Sequence, residues 1–120
     1  MDLKPLKKEE EFTFVFKNKI ESINVTGYRA MLTWNDSKNI NYGFILPKKY
    51  LKLAVNRNYI RRLVKQNLRE LNVTKGFDFI FMIRSKIEPF EKEKEKKNYR
   101  RVKNKVRITS TIGKLNYLIN

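Results

Sequence analysis

The chain has no cysteine and no histidine among its 120 residues. Lack of cysteine removes any disulfide framework and any thiolate nucleophile. Lack of histidine removes the commonest general base and the commonest transition-metal ligand, and it excludes Ser–His and Cys–His nucleophilic catalysis. Acidic residues are scarce too, 12 Asp and Glu against 28 Lys and Arg. Asp36, Glu70 and Asp78 are scattered, without the paired spacing of a metal site. No run approaches the roughly 20 apolar residues of a membrane span, and the opening MDLKPLKKEEEF has no apolar stretch of signal-peptide length. A cytoplasmic protein is the expectation. With four glycines and three prolines there is no Pro/Gly/Ser-rich linker, and no internal repeat, so residues 1–120 read as one domain.

What is present is positive charge and a normal supply of core residues. The apolar fraction is 41%, including eight Phe, six Tyr and one Trp, which suffices for a core. The net charge of +16 costs self-repulsion in the compact state and implies a partner of opposite sign. Nucleic acid is the first candidate and an anionic membrane surface the second.

The stretch from Lys52 to Asn72, KLAVNRNYIRRLVKQNLRELN, concentrates this charge. Wound as a helix at about 100° per residue, it gathers Arg57, Asn58, Arg61, Arg62, Lys65 and Arg69 into one sector. Ile60, Leu63, Val64, Leu68 and Leu71 form a core-facing stripe on the other side. Only Glu70, at the far edge, could neutralise the cationic face from within. Arginine suits phosphate because its planar fork binds two oxygens at once and its charge is fixed. Lys48 and Lys49, just before the helix, extend the same positive surface if their loop abuts it.

The helix is expected over about Ala54–Leu71. Leu6, Phe12, Val15 and Phe16 can share another helical face, and the Glu9-Glu10-Glu11 start favours helix there over the strand-like alternation of Phe12–Phe16. Met1–Pro5 reads as a loose leader and Asn18–Gly27 as a connector. Tyr28–Trp34 and Ile40–Leu46 read as strands joined by the polar turn Asn35–Asn39, which suggests an antiparallel pair. Phe77–Ile83, FDFIFMI, reads as a well-buried strand. Glu88–Lys105 reads as a solvent-laced helix with Tyr99 and Val102 inward, and residues 108–120 find no place. Helix, strands, helix, strand, helix is the order of an α+β sandwich, a small sheet packed by helices. Of the aromatics Phe12, Phe14, Phe16, Tyr28, Trp34 and Tyr42, most belong to a core, and one or two could stack unpaired bases on an exposed sheet face.

The segment Ala54-Val55-Asn56-Arg57-Asn58-Tyr59-Ile60-Arg61-Arg62 resembles the signature of the bacterial ribonuclease P protein component, an Arg-Asn-Arg stretch followed by an aliphatic residue and a basic pair. Leu6-Lys7-Lys8 through Phe12–Lys17 resembles that family's opening helix, with its F-x-x-V-F pattern. Gly43, followed after four residues by Lys48-Lys49, resembles its second-strand segment, and Phe77–Arg84 its later strand. The resemblance spans roughly residues 6–105. Tyr59 stands where the family has the third cation, and it points away from the basic sector. Pro47 and Ile45 also depart from the family pattern.

The resemblance implies a left-handed β-α-β crossover in a mixed sheet. It implies the protein subunit of an RNA-based endonuclease that removes the 5′ leader of precursor tRNA, with the chemistry and the Mg²⁺ held mainly by the RNA. Arg57, Asn58, Arg61, Arg62, Lys65 and Arg69 would face the catalytic RNA. Phe12, Phe16 and Lys17 would belong to a leader cleft flanked by Lys48 and Lys49. The subunit would act as a monomer within the particle. A structural rRNA-binding protein of ribosomal type shares the charge and size and is the main alternative. A DNA-binding module with the helix in a major groove comes next. A membrane-surface role is weakest, since the helix has no Trp or Phe at its apolar edge.

Overall fold

The computed structural model describes residues 2–25, 27–85 and 107–118. The chain runs through β1 (Leu3–Pro5), α1 (Glu9–Asn18), β2 (Glu21–Val25), β3 (Tyr28–Trp34), β4 (Ile40–Ile45), α2 (Ala54–Arg69) and β5 (Phe77–Ile83). It ends in a helical segment made of residues 107–113 and Leu115–Leu118. The five strands form one mixed sheet in the order β1-β4-β5-β3-β2. The fold is α+β, as the pattern of elements predicts.

β5 takes the centre because it is apolar on both sides. Phe77, Phe79, Phe81 and Ile83 point to one face and Ile80 to the other, and all five are buried. β5 pairs antiparallel with β3 and parallel with β4. Parallel neighbours need a crossover, and α2 supplies it. The expected antiparallel pairing of Tyr28–Trp34 with Ile40–Leu46 is therefore wrong. Their short turn crosses over β5, which inserts between them and satisfies the inner edges of both.

Two further expectations are corrected. The supposed loose leader contains β1, which extends the sheet by pairing parallel with β4, Leu3 opposite Ile40. The supposed connector contains β2, antiparallel to β3 with Ile23 opposite Ala30. Both are edge strands, held by backbone bonds and showing weak alternation. α2 ends at Arg69, and α1 forms where helix was favoured over strand. The predicted helix Glu88–Lys105, with Tyr99 and Val102, lies outside the described residues. The unplaced tail is helical where described, and Ile108, Ile112 and Leu115 are buried in the main core.

Each sheet face carries its own core. On one, Tyr28, Ala30, Leu32, Phe77, Phe79, Phe81 and Ile83 meet Ile60, Leu63, Val64 and Leu68 of α2 and the C-terminal helical segment. On the other, Val15 of α1 packs with Leu6, Met31 and Ile80, and Phe12, Phe16, Ile45 and Met82 are half-buried around them. Gly43 makes that second contact possible, because a Cβ there would lie 2.5 Å from the Phe12 ring. Glu11 holds the start of α1 by accepting the Lys8 N–H at 3.1 Å, which satisfies a donor the helix cannot. Thr33 Oγ1 donates to the Asn18 carbonyl at 2.9 Å and ties down its end.

Candidate nucleic-acid interface

The basic residues of α2 lie where the periodicity puts them, but not all in the same state. Asn58, Arg62 and Arg69 are exposed, and Arg57, Arg61 and Lys65 are half-buried. None of the sixteen residues of α2 is acidic, so the helix carries no counterion of its own. Arg61 Nη1 donates to Asn58 Oδ1 at 2.9 Å, which fixes this pair side by side on the outer surface. Lys65 lies with its ammonium 5.7 Å from the centre of the Tyr42 ring, at the flank of α2 that overhangs β4.

Arg57 is different. Its Nη1 donates to the carbonyls of Leu51 and Lys52, each at 2.8 Å. At about 100° per residue, Arg57 falls between Val64 and Leu68 on the helix circumference, at the rim of the buried arc. The guanidinium therefore folds back on the chain that leads into α2. A cation in a first turn opposes the helix dipole, and this one is compensated by two carbonyl oxygens. Among the six basic-face residues, Arg57 has a structural task besides any role as a phosphate ligand.

The leader-cleft candidates divide. Phe12 and Phe16 sit together on the inner side of α1 beside Ile45 and Met82. Lys17 does not join them. It lies on the outer side of α1 with Glu9, Glu10, Thr13, Phe14 and Asn18, around an open groove of about 380 Å³, and Phe14 is 53% exposed there. Lys48 and Lys49 are exposed in the turn that leaves β4, where the Pro47 carbonyl accepts the N–H groups of Tyr50 and Leu51, each at 3.1 Å. Lys49 Nζ stands 4.8 Å over the Tyr50 ring. The turn leads from β4 toward α2, so its lysines precede the cationic helix in the chain.

Sequence reasoning missed a row of residues beside Phe12 and Phe16. Strand register aligns Asn24, Arg29, Met82 and Ile45 across β2, β3, β5 and β4. None of the four is buried. Arg29 Nε donates to Ser22 Oγ at 2.8 Å, which orients its guanidinium over this sheet face. The alternation of YRAMLTW places Arg29 opposite in phase to Tyr28, but Glu21–Val25 alternates too weakly to reveal β2 as its partner. Tyr28, Trp34 and Tyr42, considered above as stacking platforms, all belong to or pack against the main core instead.

Away from these surfaces, Asp78 Oδ1 accepts from Asn35 Nδ2 and Asn41 Nδ2, each at 2.8 Å. A single carboxylate bonded by two amides locks a turn and does not cage a hard cation. Among the described residues, no group of three or more acidic side chains could hold a metal ion, and no helix is long and apolar enough to cross a membrane.

A mixed five-stranded sheet, one face covered by a short acidic-capped helix and the other by an acid-free cationic helix, defines a small basic α+β protein. The model of the family described as Ribonuclease P matches residues 2–107, and the chain belongs to that family. It is 31% identical over 87 residues to the ribonuclease P protein component of Nitrosomonas eutropha, covering 70% of this chain and 71% of that one. It is 35% identical to the component of Baumannia cicadellinicola, covering 67% and 70%. The RNase P protein of Thermotoga maritima has the same fold, with a TM-score of 0.66 at 21% identity over 98% of both chains. The Staphylococcus aureus RNase P protein is similar at a TM-score of 0.58 and 19% identity, covering 90% of this chain and 96% of that one. Membership ties the chain to tRNA processing by a ribonucleoprotein nuclease.

Proposed function

We propose that this chain is the protein subunit of ribonuclease P, binding the catalytic RNA through α2 and the single-stranded 5′ leader of precursor tRNA beside α1. The RNA, with its Mg²⁺, performs the cut that yields the mature tRNA 5′ end. The protein neutralises phosphates and orders the substrate. Asn58, Arg61, Arg62, Lys65 and Arg69 meet the RNA backbone, and Arg57 adds its charge while holding the entry to the helix. Phe12 and Phe16, with Arg29 as a cation close by, receive the leader. Lys48 and Lys49 meet phosphate from the turn between β4 and α2, and Lys17 makes an outer contact on α1.

The observation that supports this best is the cationic surface of α2, unneutralised by any acid in the helix. A chain with neither histidine nor cysteine lacks the usual means of cutting a phosphodiester. It is suited to phosphate contact beside an RNA that does the cutting. The test is cleavage of precursor tRNA by the matching catalytic RNA at low Mg²⁺, with and without the protein. Stimulation is expected. No stimulation at any protein concentration, together with tight binding to ribosomal RNA, would instead identify a structural rRNA-binding protein.

A further inference from the structure

On the flank of α2 away from Lys65, Tyr59, Arg62, Leu63 and Gln66 line a groove of about 250 Å³. Leu63 is buried and forms its floor, Tyr59 is a half-buried wall, and Arg62 and Gln66 are exposed at the rim. These four side chains supply the parts of a nucleobase site. An aromatic ring and a guanidinium plane are the two surfaces on which unpaired bases stack. A primary amide offers a donor and an acceptor together, which suits a base edge. The groove is continuous with the cationic surface, because Arg62 belongs to both.

We propose that this groove binds one unpaired base of an RNA whose phosphates lie on the basic face of α2. Tyr59 is its stacking wall and Gln66 its edge-reading group. The inference rests on α2 being an RNA-binding face, and it adds a base contact to what is otherwise backbone recognition. An uncharged ring beside one edge of the cationic face, next to Arg62, is what a stacking contact requires. A duplex offers no splayed base, so the preference is for single-stranded or bulged RNA.

The test uses the full chain and short unstructured oligoribonucleotides, with an abasic oligomer of equal length as the second probe. Tyr59→Leu should lower affinity for the base-bearing oligomer by about 5- to 150-fold, the range of a stacking contact. The slope of log K against log salt should stay unchanged, since no phosphate contact is lost. Tyr59→Phe, which keeps the ring, should bind like the parent. Gln66→Ala, at an exposed site that spares the fold, should weaken binding and level the preference among base types. All variants should bind the abasic oligomer equally. The proposal is overturned if Tyr59→Leu and Gln66→Ala bind like the parent, if Tyr59→Phe loses as much as Tyr59→Leu, or if the abasic probe loses affinity in parallel. None of these measurements requires the catalytic RNA, so failure here is separable from failure to stimulate precursor-tRNA cleavage.

Discussion

Replacing Arg57 by alanine should cost folding stability more than it costs RNA affinity. Its guanidinium donates to two carbonyls at 2.8 Å, and the two losses are unequal. Lys52 is exposed, so water can replace the guanidinium at its carbonyl. Leu51 is 3% exposed, and its carbonyl is left without a partner. An orphaned buried acceptor costs about 1–3 kcal/mol. Removing a cation from the first turn of α2 returns about 0.3–1 kcal/mol through the helix dipole. The orphaned carbonyl outweighs the dipole, and a net loss of about 1–1.5 kcal/mol is expected. That corresponds to a fall in Tm on the order of 3–7 °C for a domain of this size. Arg62→Ala, at an exposed site, should stay within about 0.5 kcal/mol of the parent. Thermal denaturation followed by circular dichroism should be paired with RNA affinity across salt concentration. Arg62→Ala should reduce the salt slope by about one, as expected for a lost phosphate contact, and Arg57→Ala by less. Arg57→Lys keeps the charge and loses the fork, so it should melt early yet keep its slope. If Arg57→Ala melts within about 2 °C of the parent and loses a full unit of slope, Arg57 is a phosphate ligand first and the reasoning fails.

Gly43→Ala should destabilise by about 1–3 kcal/mol, because the new Cβ meets the Phe12 ring and α1 must shift. Leader affinity should drop while affinity for the catalytic RNA holds; leader affinity equal to the parent's would remove Phe12 from the cleft. Ile112→Ala should cost about 2–5 kcal/mol in chemical denaturation, since Ile112 is fully buried in the main core. A change under about 0.5 kcal/mol would mean that the C-terminal segment does not dock. Tyr28→Phe should leave stability at pH 7 unchanged or raise it by about 1 kcal/mol, because among the described residues the buried Tyr28 hydroxyl makes no hydrogen bond. Thr111 lies near enough to temper the effect of burial, but its own hydroxyl donates to the Arg107 carbonyl at 2.8 Å. Burial pushes the Tyr28 hydroxyl above its usual range of about 10, so the folded state keeps a proton that the unfolded state releases. The parent should therefore lose stability as pH rises above about 10, and Tyr28→Phe should lose less of it. A Tyr28→Phe protein that melts lower at pH 7 and declines in parallel at alkaline pH would contradict this.

The parts legible in the sequence are those where side chains alone decide the structure. α2 alternates buried and cationic positions over four turns, so its register was readable from Ile60, Leu63, Val64 and Leu68. β1 and β2 were invisible because edge strands are chosen by backbone pairing. Leu3–Pro5 and Glu21–Val25 bury little and alternate weakly. The pairing error at Tyr28–Trp34 and Ile40–Ile45 has a different origin. A short polar turn is the mark of a hairpin, but a strand apolar on both faces is more stable between two neighbours than at an edge. FDFIFMI carries that information, and its two apolar faces outweigh the turn signal. At the site, a helical wheel gives a direction without saying what curls back to meet it. Arg57 lies on the wheel between Val64 and Leu68, close to the core, and only the path of Leu51 and Lys52 decides that its guanidinium closes on carbonyls. The Arg29–Ser22 pair follows the same rule: it depends on β2 becoming the neighbour of β3, and it adds an oriented cation to a sheet face that the helical wheel of α2 does not describe.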